Sequence, residues 1–113
     1  MTNRMLASVS AFDLGHDLYD PGMSPNGKLL AMTRAQAGRV ASAIALYDYA
    51  TGKLVRLLTT GSADSGPVWS PDGSRLAFVR GAATNSPRIY TISRTGGKPR
   101  LLVTKGRAVT WGR

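Results

Sequence analysis

The residues Gly22 to Leu29, GMSPNGKL, come within one substitution of the phosphate-cradling loop G-x-x-x-x-G-K-[ST]. That loop works by pointing backbone N–H groups at phosphate and holding Mg²⁺ on a hydroxyl. Here Pro25 removes one N–H and Leu29 stands where the hydroxyl is needed, so nucleotide chemistry fails at both points. The same stretch nearly forms the nucleophile elbow G-x-S-x-G around Ser24, but Asn26 replaces the last glycine and Pro25 follows the would-be nucleophile. His16, the only histidine, has Asp13, Asp17 and Asp20 near it in sequence, yet no nucleophile accompanies it. With no cysteine and a single imidazole, neither a disulfide framework nor a zinc site is expected. The chain is therefore read as carrying no catalytic, cofactor-binding or metal-binding residues.

The element that holds GMSPNGKL is better explained by a second copy of it. Ser24-Pro25-Asn26-Gly27 recurs as Ser70-Pro71-Asp72-Gly73, 46 residues on, and KLLAMTR recurs as SRLAFVR at the same offset. IALYD (44–48) answers IYTIS (89–93) at an offset of 45, and LLTTG (57–61) answers LLVTKG (101–106). A period in the mid-forties built from short apolar runs and turn signals matches four-stranded propeller blades. The near-continuous runs LLAM and LAFV suit strands covered on both faces.

Each unit reads as four strands: 18–24, 29–33, 43–49 and 54–59 in the first, then 66–70, 75–80, 88–93 and 99–104 in the second. At the S-P-(D/N)-G corner, proline presets the first central φ, Asn or Asp bonds nearby backbone, and glycine takes the positive φ that re-enters the next strand. ATGK (50–53) and TGGK (95–98) are read as the corners between third and fourth strands. Met23 and Trp69 precede their corners, and Trp111 falls at the corresponding place after the second unit; all three are assigned to packing between blades. The fold class is all-β, a partial β-propeller of two four-stranded antiparallel blades plus flanking strands. The segments are 1–17, a possible outer or closing strand; 18–61 and 62–106, the two blades; and 107–113, the start of a third repeat.

The pattern PVWSPDGSRLAFVR followed by RIYTISRTGGKPRLL resembles the WD-repeat-like propeller repeats of the TolB and prolyl oligopeptidase type, and the resemblance runs from about Asp17 to Trp111. It implies a propeller of more blades than two. Leaving two outer faces bare, at a few hundred Å² each, would forgo on the order of 10 kcal/mol. Three arrangements are therefore expected: a piece of a longer propeller, three or four copies closed head to tail into a ring, or a partner protein on the faces.

Fifteen Lys and Arg against six Asp give a net charge of +9, but the cations are scattered singly rather than clustered. The first functional reading is a non-catalytic protein-interaction or assembly module, with the loops 35–42 and 81–87 as its display surface. The second is the substrate-gating propeller portion of a peptidase whose catalytic domain lies elsewhere. Charge-driven nucleic-acid binding is the third. No apolar run reaches the roughly 20 residues of a membrane span, and Met5 to Phe12 makes a poor signal peptide. The compartment is left open, cytoplasmic by default.

Overall fold

The computed structural model describes residues 16–36, 42–59, 63–82, 84 and 86–103. Eight strands fill them in two antiparallel meanders. β1 (His16–Met23), β2 (Leu29–Gln36), β3 (Ser42–Asp48) and β4 (Leu54–Leu57) form one sheet in that order. β5 (Asp64–Trp69), β6 (Arg75–Arg80), β7 (Arg88–Ser93) and β8 (Gly96–Val103) form the other. The fold is all-β, and no described residue is helical.

The apolar runs become the central strands. Leu30, Ala31 and Met32 on β2, and Leu76, Ala77 and Phe78 on β6, are all at zero exposure, so successive side chains on opposite faces are equally dry. One face of each sheet meets the other sheet. Ala31, Ile44, Leu46 and Leu58 pack there against Trp69, Leu76, Phe78 and Ile92. The opposite face of the first sheet gathers Leu18, Leu30, Met32, Ala45 and Tyr47, and that of the second gathers Ala77, Val79, Ile89 and Ala82. These outward faces are not bare: Tyr47 is at 0% exposure and Val79 and Ile89 at 3% within the single chain.

β1 and β5 share a bulge. The register slips between Tyr19 and Gly22 in one and between Ser65 and Val68 in the other. At the slip Asp20 has φ 55° and Gly66 φ 65°, each followed by a proline. Asp is among the few side chains that visit this left-handed region readily, which explains how the two residue types share one position.

The corner between β7 and β8 lies two residues from where TGGK places it. Ser93 pairs directly with Gly96, so Arg94 and Thr95 are the corner, and Gly96 and Gly97 belong to β8. Both glycines have φ near +100°, and the ladder slips between Thr91 and Ser93, so they accommodate an irregular strand start.

Candidate functional site

The two S-P-x-G corners lie side by side on one rim of the pair of sheets. In the first, the Gly27 N–H donates to the Ser24 carbonyl at 2.9 Å and Gly27 has φ 74°. The Ser24 hydroxyl donates to Asn26 Oδ1 at 2.6 Å and accepts from the Leu29 N–H at 3.0 Å, while the Lys28 N–H also donates to Asn26 Oδ1. The second corner repeats this. Gly73 N–H donates to the Ser70 carbonyl at 2.9 Å, Ser70 Oγ donates to Asp72 Oδ1 at 2.8 Å, and the Arg75 N–H donates to Ser70 Oγ at 3.1 Å. Each corner is a tight turn closed by a glycine in the left-handed region, and each serine is committed to holding it.

Asp72 differs from Asn26 by its charge. The Ser74 backbone N–H, then the Ser70 and Ser74 hydroxyls, donate to its carboxylate and lower its pKa from 3.8 to about 2. Between the corners lies a half-open cleft of about 390 Å³, lined by Asn26, Leu29, Trp69, Asp72 and Arg94 among others. It offers an indole, a carboxylate and a guanidinium, but no nucleophile paired with a base. Ser24, the serine of the near-elbow, stands in its wall with its hydroxyl occupied.

Trp69 is the member of the site that joins the sheets. It is 9% exposed, packs in the shared core, and donates its indole N–H to the Gly22 carbonyl at 2.9 Å. A Cβ on Gly22 would stand 3.4 Å from the Pro67 carbonyl oxygen and 3.7 Å from the indole, ordinary contact distances, so the approach does not itself require a glycine. Met23, its counterpart in the first sheet, is 37% exposed and stands outside the shared core. The physical reason is position: β5 packs on β1, β2 and β3, whereas β1 meets the second sheet chiefly at its edge strand β5. Trp111, like the segment 107–113 and residues 1–15, lies outside the described residues.

Two further contacts complete the seam. The Gly66 N–H donates to Thr33 Oγ1 at 2.9 Å, and that hydroxyl donates to Asp20 Oδ2 at 2.8 Å. The Ser42 hydroxyl donates to the Asp64 carbonyl at 2.8 Å. Asp64 itself has a fully buried side chain, gripped by Arg80 through Nε at 2.7 Å and a second nitrogen at 3.1 Å. The Arg80 guanidinium also lies 4.6 Å from the Tyr90 ring centroid and 5.7 Å from that of Phe78. Its pKa is raised, chiefly by the hydrogen bonds to Asp64, against the opposing effect of burial.

The repeat hides this pair, because Leu18 occupies the place of Asp64 in the first unit while Arg34 matches Arg80. The Asp20-Pro21 and Gly66-Pro67 dipeptides, again 46 residues apart, carried the signal for the bulge. His16 begins β1 opposite Gln36, and among the described residues no three His, Cys, Asp or Glu side chains converge as metal ligands.

Sequence comparison finds the same pattern elsewhere. The chain is 31% identical over 87 residues to the uncharacterized peptidase YuxL of Bacillus subtilis, covering 74% of this chain and 13% of that protein. It is also 31% identical over 64 residues to the Tol-Pal system protein TolB of Francisella tularensis, covering 57% of this chain and 14% of the relative. Among solved structures, TolB from Acinetobacter baumannii superposes with a TM-score of 0.64 at 26% identity, over 83% of this chain and 23% of that one. The two sheets are β-propeller blades similar to those of TolB. The propeller domain of the Trilobed protease from Pyrococcus furiosus shares the fold, with a TM-score of 0.59 at 19% identity over 80% of this chain and 28% of that one. No protein-family profile matches. The chain thus matches about an eighth of the length of these curated relatives.

Proposed function

We propose that this chain is a non-catalytic propeller element whose role is protein interaction. One observation carries the reading: the outermost strand of each blade turns apolar side chains into solvent beside cations. All of β4 is exposed, with Val55 at 51% next to Arg56, and on β8 Leu102 is 54% exposed beside Arg100. Exposed apolar residues on an edge strand make a template for a partner, and the flanking arginines favour one with an acidic surface. The loops 35–42 and 81–87 belong to the same proposal, although part of each lies outside the described residues. The test is the affinity of a purified partner for the wild-type chain and for a chain carrying Val55→Asp and Leu102→Asp. Binding should weaken by at least about tenfold with unchanged melting; equal affinity would refute the reading.

The likeness to a peptidase supports a second reading, in which these blades gate substrate for a catalytic domain on another part of a longer protein or on another chain. It predicts that the isolated 113-residue chain cleaves no peptide and that joining it to such a domain narrows the size of peptide accepted. Unchanged size selection would count against it. The net charge of +9 is the sole support for nucleic-acid binding, whose mark would be affinity falling steeply with salt.

A further inference from the structure

We infer that the second blade carries a phosphate-binding site, built from the guanidinium groups of Arg75 and Arg100 and the hydroxyl of Thr91. The three residues come from adjacent strands and share one face. Thr91 on β7 pairs directly with Arg100 on β8, which sets their side chains on the same side of the sheet, about 5 Å apart at their roots. Arg75 on β6 reaches the same point, its Nη2 donating to Thr91 Oγ1 at 3.1 Å. Their chain neighbours Leu76 and Ile92 lie in the shared core, so alternation turns Arg75 and Thr91 away from the first blade. With Leu101 and Leu102 the three line an open hollow of about 460 Å³.

Every polar side chain in this hollow offers a donor. Thr91 is 8% exposed and its oxygen accepts from Arg75, while its own O–H has no acceptor among the described residues. No carboxylate pairs with Arg75 or Arg100 among those residues, so two cations flank one buried hydroxyl with nothing to balance them. A dianionic phosphate balances both and has oxygens for all three donors, whereas a carboxylate balances one. Comparison of the blades singles out the same place. Leu29 pairs with Asp48 as Arg75 pairs with Ser93, and Leu46 pairs with Arg56 as Thr91 pairs with Arg100. In the first blade both leucines pack in or against the shared core. The second blade has exchanged them for a cation and a hydroxyl, and a bound oxyanion accounts for both exchanges at once.

The site shares Arg100 and Leu102 with the strand proposed to meet a protein partner, but its test needs no partner, so the two readings fail separately. Inorganic phosphate is titrated into the wild-type chain by calorimetry in about 0.1 M salt, where surface charges more than about 10 Å apart are screened, with acetate titrated in parallel. Phosphate should bind at least about tenfold more tightly than acetate. Arg75→Leu and Arg100→Leu should each weaken phosphate binding at least about tenfold, and Thr91→Val about threefold. Leucine already holds the Arg75 position in the first blade and Arg100 is exposed, so both arginine variants should melt as cooperatively as the wild type. Lys53→Gln, which removes one charge from an exposed corner of the first blade, should change the affinity by less than about twofold. The inference is overturned by wild-type chain that binds no phosphate, by equal binding of acetate, by unchanged affinity in either arginine variant, or by an equal loss in Lys53→Gln. A phosphoserine peptide distinguishes the source of the group: tighter binding than free phosphate assigns it to a phosphorylated protein, and equal or weaker binding to a free phosphate, either result supporting the site.

Discussion

Arg80 and Asp64 show how much a single pair of side chains can decide. The carboxylate is fully buried and its cation only partly so, which makes the two halves of the pair unequal. Arg80→Met should destabilise the chain by about 3–5 kcal/mol in urea unfolding, because it strands a buried charge. Arg80→Lys should recover only part of that loss, since an ammonium cannot make the two-pronged contact or lie flat against Tyr90. A loss in Arg80→Met no larger than that of a surface substitution would show that the pair is not structural. Asp72 makes a prediction about pH. Its folded pKa of about 2 lies below the ordinary aspartate value of 3.8, so its ionised form stabilises the corner above pH 4 and that contribution fades as pH falls toward 2. Asp72→Asn should flatten this acid limb in unfolding curves taken between pH 2 and 6, and the two chains should converge at the acid end. An unchanged limb would mean that the hydrogen bonds to Asp72 are as strong when it is neutral.

The corners and the bulges are where strands depend on backbone geometry. Gly73 has φ 74° and Gly66 φ 65°, so alanine at either should cost about 1–2 kcal/mol. At Gly66, aspartate should cost less than alanine, because Asp20 already holds the equivalent bulge. Thermal melts of Gly66→Ala and Gly66→Asp test this, and the reverse order would deny that the two bulges are equivalent. Much of this level was readable from the 46-residue repeat. Strands β6 and β7 run from Arg75 to Arg80 and from Arg88 to Ser93, the bounds the apolar runs imply. The start of β8 was not readable, because two adjacent glycines suit a tight corner as well as an irregular strand, and only the pairing of Ser93 with Gly96 distinguishes them.

The two blades share one core, so they should unfold together. Circular dichroism and tryptophan fluorescence should give coincident melting curves for the wild-type chain. Trp69→Ala should cost about 3–5 kcal/mol and separate those curves if it uncouples the blades. Trp69→Phe should cost about 1–2 kcal/mol, mainly the hydrogen bond to Gly22. A silent Trp69→Ala would mean that the indole fills no space needed by the shared core.

Two blades, their order and their S-P-x-G corners follow from the repeat itself, because period, turn chemistry and apolar runs are all local properties of the chain. The seam does not follow from them. Thr33, Ser42 and Asp64 look like ordinary polar residues until folding brings segments 22 to 33 residues apart within hydrogen-bond reach. The repeat even conceals them, since it marks what the blades have in common, whereas a joint between two blades is made from the positions at which they differ. Packing brings those differences face to face, and a buried polar group then needs a partner that no single strand can provide.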